Sequence, residues 1–354
     1  MPKRAWRRPG PIQKGKREES KLRIRFMALL IGSLACLGSP QLAASKELKL
    51  ATFLPPAHPI VAMYEQFAKD VAAATNNELT VKVFSGGALG AGPFQQYKRA
   101  VEGVADISDI CHAFHAKVFA KTMLIVLPGN ATTASDATER LYKVPEAMMA
   151  SDYAEVQNIF MYSVPQATFI SRDRPVRAVG DLKGVKVLTP GAAFAPIVAA
   201  WGGTPVPMDL NDMYSALSTG VVDMVSLTPT ALLPPWRLSE IAKHVTAGIS
   251  GLHNPCGAIM NKESYAALSP AHKQAFDKLT GKPLAMKAAK IFDNWESAAF
   301  KLAKESDKIE VVRLSPQERK QFFDAANPVV QKVIADLEKS GVKDVRAAYE
   351  AMNK

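Results

Sequence analysis

Apolar and polar residues alternate with a period of two at several points early in the chain. This alternation predicts strands at residues 48–53 and 79–84, and a third strand at 103–108 follows a turn. Between the first two strands, apolar residues recur at three-and-four spacing over 59–74, which predicts an amphipathic helix. A second helix is predicted over 93–102. Strands that alternate with helices indicate βαβ units and a mainly parallel sheet.

The same pattern starts again after residue 161. Strands are predicted at 168–170, 185–189, 204–208 and 222–227, with helices at 194–201 and 210–219. A strand predicted at 254–260 returns the chain to the first block. The chain beyond residue 270 is rich in helical patterns. Because Pro283 suits the first turn of a helix better than its interior, we expect two helices that separate at 281–283.

The composition is that of a folded globular protein, and the positive charge is concentrated at the amino terminus. The chain has 354 residues, 48% of them hydrophobic, and a formal net charge of +11; this length allows two domains. Residues 1–45 hold ten Lys and Arg against two Glu, a net charge of +8, which leaves +3 for the rest. Because the charges of residues 46–354 nearly balance, this part of the chain does not predict nucleic-acid binding. It also contains no apolar run long enough to span a membrane.

The first 45 residues have the layout of a secretory signal peptide. A basic segment precedes the apolar run at 27–38, and small residues follow, so we expect cleavage after Ala44 or Ser45 and export to the periplasm. The basic segment is long, and translation would start at Met27 only if that segment were discarded. Lipidation of Cys36 is an alternative, although Ser33 stands where such signals usually have an aliphatic residue.

Two cysteines, Cys111 and Cys256, remain in the predicted mature chain. An oxidising compartment permits a disulfide between them, but nothing in the sequence indicates that they meet. We therefore expect two buried free thiols, with a disulfide as the alternative.

Four segments follow one another in an order that is typical of a known family. They are Ala51-Thr52-Phe53 with His58-Pro59 and Phe67-Ala68; Val83-Phe84 with Gly87-Ala88-Leu89-Gly90; the run Asp181 to Val187; and the run Gly203 to Met208 with Tyr214 to Asp223. Together they resemble the DctP-type solute-binding proteins of tripartite ATP-independent periplasmic (TRAP) transporters. The resemblance covers nearly all of residues 47–350.

The resemblance implies an α/β fold of the two-lobed periplasmic binding protein type, with a hinge and a helical C-terminal brace. We expect domain I at 46–166 together with 250–282, domain II at 167–249, and bracing helices at 283–354. Such a protein, a monomer or weak dimer without cofactor or metal, would close over a small organic ligand and deliver it to TRAP membrane permease subunits. Because ligand contacts exist only in the closed state, ligand favours closure.

The chain departs from the family pattern where the ligand is usually held. In the family, the strand that matches 185–189 usually ends in an arginine that clamps the ligand carboxylate, and here that position is Leu188. Many members also have Asp-Gly-Gln-Glu-Asn where this chain has Asp223-Met224-Val225-Ser226-Leu227. A desolvated carboxylate without a cation is costly, so we expect an organic acid of more apolar or aromatic character than the family norm. Alternatively, an arginine near the crossing strand replaces the clamp: Arg172, Arg174 or Arg177.

The predicted ligand contacts come from the strand ends and loops around the cleft. Hydrogen bonds are expected from three hydroxyl residues and two histidines. Apolar contacts are expected from two leucines and five aromatic residues, although core packing would explain each aromatic residue equally well. The residues are Phe53, His58, His112, Phe114, Leu188, Thr189, Phe194, Tyr214, Ser226, Leu227, Thr228 and Trp236.

Other classes of function have weaker support in the sequence. His112 and His115, even with Asp109 nearby, fall short of the three or four convergent ligands of a transition-metal site. The motifs Gly-x-Ser-x-Gly and His-Glu-x-x-His are absent, which argues against an exported enzyme. A periplasmic sensor that docks on a receptor kinase stays open as the alternative to transport.

Overall fold

A computed structural model describes residues 45–129, 131–249 and 251–354 of the protein. The predicted signal peptide therefore lies outside the described residues, apart from Ser45. The strands are β1 (Lys46–Ala51), β2 (Leu79–Phe84), β3 (Ile107–Cys111), β4 (Val156–Ser163), β5 (Thr168–Ser171), β6 (Lys186–Pro190), β7 (Thr204–Met208), β8 (Met224–Leu227), β9 (His244–Ala247), β10 (Pro255–Asn261) and β11 (Glu310–Arg313).

The helices pack around these strands, and several short 3₁₀ turns connect them. They are α1 (Pro59–Ala74), α2 (Gln96–Val101), α3 (Ala134–Leu141), α4 (Glu146–Met149), α5 (Ala195–Ala200), α6 (Met213–Thr219), α7 (Lys262–Ala266), α8 (Pro270–Leu279), α9 (Gly281–Glu305), α10 (Pro316–Lys339) and α11 (Val345–Asn353). The boundary between α8 and α9 confirms the predicted break before Pro283. In the part of the chain that the structure describes, no helix has the length and apolar character needed to cross a membrane.

The strands form two sheets, in the orders β2-β1-β3-β10-β4 and β11-β9-β5-β8-β6-β7. Both sheets are mixed: in the described residues five of the nine strand pairs are parallel, as the predicted βαβ units require, and four are antiparallel. The reason is the path of the chain: β5 enters the second sheet antiparallel to β8 and β9, and β10 returns to the first sheet antiparallel to β3 and β4.

Helix α9 packs against the hydrophobic clusters of both sheets. Leu284, Ala288 and Phe292 near its start belong to the cluster around β1 and α1, whereas Ala299 and Ala303 near its end pack with the interior of the second sheet. An apolar stripe along one helix therefore ties the two halves of the fold together.

Cys111 and Cys256 form a disulfide, which makes the expectation of free thiols wrong. The two residues lie opposite each other on the neighbouring antiparallel strands β3 and β10, with their Cα atoms 4.0 Å apart. They are separated by 145 residues. Only the return of β10 to the first sheet brings them together.

Candidate functional site

A cavity opens between the two sheets, where strand ends and crossing segments meet. It encloses ≈ 60 Å³. Its lining residues come from both sheets and from α9: Phe53, Leu54, His58, Cys111, Tyr162, Val164, Ala167, Pro190, Phe194, Leu210, Ser226, Leu227, Thr228, Thr230, Trp236, Leu252, Asn254, Cys256 and Phe292. None of these lining residues is Lys, Arg, Asp or Glu, so the wall presents apolar surface with neutral polar groups.

Seven of the twelve predicted ligand contacts line this cavity, namely Phe53, His58, Phe194, Ser226, Leu227, Thr228 and Trp236. Their positions follow from strand direction. Phe53 lies two residues after the end of β1, Leu227 ends β8 and Thr228 follows it. The carboxyl ends of neighbouring parallel strands lie at one edge of a sheet, and in α/β folds that edge is where clefts form. Whether these side chains contact a ligand stays a prediction.

The other five predicted contacts lie elsewhere. Leu188 is 0% exposed and packs in the core of the second sheet with Val225 and Leu217. Thr189 is buried too, and its hydroxyl donates to the carbonyl of Gly191 at 3.1 Å. Pro190, the last residue of β6, lines the cavity in place of the predicted pair.

The histidine and aromatic members of this group have partners of their own. His112 is buried, with Nδ1 3.0 Å from the Pro255 carbonyl and Nε2 3.1 Å from the Tyr153 hydroxyl. Phe114 packs edge-on against Phe94, with ring centroids 4.9 Å apart. Tyr214 lies in a separate outer pocket, described below.

None of the three candidate replacement arginines lines the cavity. Arg172 donates to the Ser218 carbonyl at 2.7 Å and pairs with Asp173. Arg177 pairs with Glu310, and Arg174 is exposed.

His58 brings a neutral imidazole to the cavity wall. Its Nδ1 accepts a hydrogen bond from the Ile60 amide at 3.2 Å and so caps helix α1. The ring proton must then lie on Nε2, and burial lowers the pKa of His58 to about 3. The ring packs edge-on against Trp295, with centroids 4.9 Å apart. His58 is thus a neutral hydrogen-bond donor at neutral pH.

Two further polar groups at the cavity lack partners. Among the described residues, neither the Ser226 hydroxyl nor the Asn254 side-chain oxygen makes a hydrogen bond, although both atoms are buried. Buried polar groups without partners are uncommon in native proteins. In contrast, Thr228 and Thr230 pair through their hydroxyls at 2.6 Å. The unpaired groups are available to a guest in the cavity.

A buried carboxylate lies behind the cavity wall. Asp109 on β3 accepts hydrogen bonds from the Thr52 hydroxyl at 2.6 Å and from the Tyr64 hydroxyl at 2.8 Å. Burial raises its pKa to about 6 despite these two bonds. Burial, together with the charge of Asp109, also raises the pKa of Tyr162 well above its ordinary value, so the Tyr162 phenol keeps its proton at neutral pH.

The two halves of the fold touch beside the cavity. Gly191, directly after β6, approaches the 3₁₀ turn that follows β3 so closely that a Cβ atom at this position would lie 2.8 Å from the Ala113 carbonyl oxygen. Its φ of +84° also favours glycine. The absence of a side chain at Gly191 therefore lets the two halves come together here.

Twelve of the nineteen lining residues were not predicted as ligand contacts, among them Tyr162, Pro190, Thr230, Asn254 and Phe292. Tyr162 lies on β4, a strand that the sequence pattern did not reveal, and Phe292 lies on a helix expected only to brace the lobes. Thr230 and Asn254 are polar residues next to a strand end or a crossing segment, and that position was the available signal. In the part of the chain that the structure describes, no group of three or more His, Cys, Asp and Glu residues could hold a metal ion.

Comparison with known proteins assigns the family. The family model for the bacterial extracellular solute-binding protein, family 7 (DctP), matches residues 50–336. A curated relative, the ectoine/5-hydroxyectoine-binding periplasmic protein UehA of Ruegeria pomeroyi, is 24% identical over 287 residues, covering 78% of this chain and 82% of the relative. The match spans both sheets, as the predicted resemblance requires.

Solved structures share the fold. A TRAP solute-binding protein from a marine metagenome, specific for aromatic acid ligands and bound to 3-hydroxybenzoate, superposes with a TM-score of 0.81 at 24% identity, over 87% of this chain and 97% of that one. A TRAP periplasmic solute-binding protein from Bordetella bronchiseptica with bound mandelate superposes with a TM-score of 0.77 at 25% identity, over 87% and 98%. The architecture is therefore the two-lobed one expected from the sequence. The chain belongs to the DctP family and is a solute-binding protein of a TRAP transporter.

Proposed function

We propose that this protein captures an aromatic, or similarly apolar, organic acid and presents it to the membrane subunits of a TRAP permease. The observation that carries the proposal is the uncharged cavity between the two sheets. Ligand sites are generally apolar, with a few polar groups that fix orientation. This cavity has that composition, and it lacks the cation that a small hydrophilic acid would need.

The walls favour a flat apolar group. Phe53, Phe194 and Trp236 border the cavity together with Tyr162 and Phe292, whose rings stack at a centroid distance of 5.7 Å. Aromatic rings offer faces and edges that match those of an aromatic ligand.

The neutral polar groups provide orientation. His58, Ser226 and Asn254, which carry these groups, line one small cavity. They suit a hydroxyl or carbonyl substituent of the ligand, because such a group would satisfy buried atoms that otherwise lack partners.

The ligands of similar proteins support an aromatic acid. The marine TRAP protein is specific for aromatic acids, and the Bordetella protein holds mandelate. Curated periplasmic relatives bind ectoine, a compound of different character. The choice of an aromatic acid over ectoine therefore rests on the cavity chemistry of this chain.

The remaining parts of the proposal follow the family. The mature protein acts in the periplasm after removal of residues 1–45, as a monomer, and binds its ligand without chemical change. The lobes correspond to residues 46–166 with 250–282 and to residues 167–249. A volume of ≈ 60 Å³ is below the roughly 300–1,000 Å³ of typical ligand sites, so ligand entry requires the lobes to part and the side chains to adjust.

Calorimetric titration of the purified protein tests the proposal. Benzoate, 3-hydroxybenzoate and mandelate are compared with succinate and glucuronate as hydrophilic acids of similar size. We expect the aromatic acids to bind at least tenfold more tightly. Tighter binding of the hydrophilic acids would refute the proposed ligand class, while leaving the family assignment intact.

A further inference from the structure

A second pocket lies directly outside the cavity. This outer pocket has a volume of ≈ 520 Å³ and is bordered by Pro55, Asn211, Tyr214, Arg237 and Glu240, among others. It shares Leu210 and Trp236 with the inner cavity. These two side chains therefore separate an uncharged interior from an outer pocket that carries charge.

Trp236 is placed to form the boundary between them. It is half-buried and packs against the hydrophobic clusters of both sheets. A ligand that occupies the inner cavity would thus have one side against Trp236, with the outer pocket beyond the indole.

Arg237 is the cation next to this boundary. It adopts a left-handed backbone conformation, with φ of +57°, fixed by hydrogen bonds from its amide to the Leu233 carbonyl and from the Glu240 amide to its own carbonyl. Its side chain is 62% exposed and pairs with Glu240, whose carboxylate also accepts a hydrogen bond from Tyr214 at 3.1 Å. A guanidinium has five N–H donors, so this single pair leaves others free to bind an anion.

From this arrangement we propose that Arg237 recognises the carboxylate of the ligand, which points outward past Trp236 while the aromatic body fills the inner cavity. This inference rests on the proposed function, since it assumes an aromatic acid. A carboxylate in the uncharged interior would lose its hydration without gaining a cation, whereas in the outer pocket it keeps part of its hydration and gains one. The ligand thus binds with its charge at the mouth of the site.

Matched ligands and variants test this orientation. Calorimetry compares 3-hydroxybenzoate with its uncharged amide, 3-hydroxybenzamide, on the unsubstituted protein, on Arg237→Gln and on Glu240→Gln. We expect Arg237→Gln to weaken binding of the acid at least fivefold and to change binding of the amide by less than twofold. Glu240→Gln should strengthen binding of the acid, because it removes a competing carboxylate. Arg346→Gln, which removes an exposed arginine paired with Glu338, is the charge-matched control. It should change the affinity for neither the acid nor the amide.

The salt dependence of binding is a second readout. A charge contact at the mouth is screened by salt, so the affinity of the acid should fall between 20 and 500 mM NaCl on the unsubstituted protein and change little on Arg237→Gln. Binding of the acid that is unaltered by Arg237→Gln, or an equal loss for acid and amide, would overturn the outward orientation alone. Failure of every aromatic acid to bind the unsubstituted protein would overturn the proposed ligand class and this inference with it.

Discussion

Single residues in this protein serve the fold and the site together. His58 both caps helix α1 through Nδ1 and lines the cavity. Asp109 is held by two hydroxyls directly behind that wall. Substitutions at His58 should therefore affect both stability and ligand binding, whereas substitutions at Asp109 should change how stability depends on pH.

The two roles of His58 can be separated with a pair of variants. His58→Asn keeps a side-chain acceptor of the kind that caps helices best, whereas His58→Ala removes it, so the alanine variant should be less stable by about 1 kcal/mol. Both variants remove the imidazole, and each should weaken binding of 3-hydroxybenzoate by about three- to tenfold, the contribution of one hydrogen bond. Chemical denaturation and calorimetry provide the two measurements. Binding to His58→Asn as tight as to the unsubstituted protein would show that the ring does not contact the ligand.

Asp109 should make the stability of the protein depend on pH. Burial raises its pKa to about 6, above the value of 3.8 expected in the unfolded chain. The folded state therefore binds the proton more tightly, and the stability gained from protonation is complete below pH 3.8 and lost as the pH rises through 6. Relative to Asp109→Asn, which does not titrate, the unsubstituted protein should lose about 2 kcal/mol between pH 4 and pH 8. Urea denaturation across this range measures the difference, and parallel profiles for the two proteins would contradict the prediction.

At the scale of elements, the strength of the local pattern decided what the sequence could show. The βα units with alternating strands and capped helices were predicted closely, as for β2 and α1. Three strands, β4, β9 and β11, were missed. In β4 the reason is that the strand is almost fully buried and its apolar residues do not alternate. Strand β6 itself was predicted, but the residue through which it lines the cavity, Pro190, was not. A single strand does not reveal which of its faces a neighbouring sheet covers.

The turn after β6 provides a test of lobe closure. Gly191→Ala would place a methyl group 2.8 Å from the Ala113 carbonyl oxygen of the opposite half, so closure should be impaired and the affinity for ligand reduced at least tenfold. Gly184→Ala, at the start of the same strand, has a similar positive φ but no atom within 4 Å of the added methyl group. Alanine at a positive φ carries a backbone penalty in both variants, and at Gly191 the ψ of 175° adds to it because that region is essentially restricted to glycine. Calorimetry measures the ligand affinity of the two variants, and small-angle scattering measures how far each becomes more compact when ligand binds. Equal affinities would show that closure does not depend on this contact.

At the scale of the whole molecule, the site exists only where distant segments meet. The cavity combines the ends of β1, β6 and β8 with the crossing segments and with Phe292 from α9. Its neutral polar character was partly visible in the sequence, from His58, Ser226 and Thr228. Asn254 and the disulfide were not visible, because they depend on the return of β10 to pair with β3. The sequence thus predicted the location of the cavity at the strand ends better than the full set of residues that line it.

The disulfide should stabilise the whole fold and shape the ligand site at once. Cys111 and Cys256 close a loop of 145 residues and both line the cavity, so its loss removes a constraint on the unfolded chain and loosens the wall. Replacing both cysteines with alanine should lower the free energy of unfolding by about 2–4 kcal/mol and weaken binding of 3-hydroxybenzoate. A reductant should have the same effects on the unsubstituted protein and none on the double variant. If the reductant lowered stability without altering affinity, the disulfide would act on the fold alone, and the cavity wall would be held by the β3–β10 pairing itself.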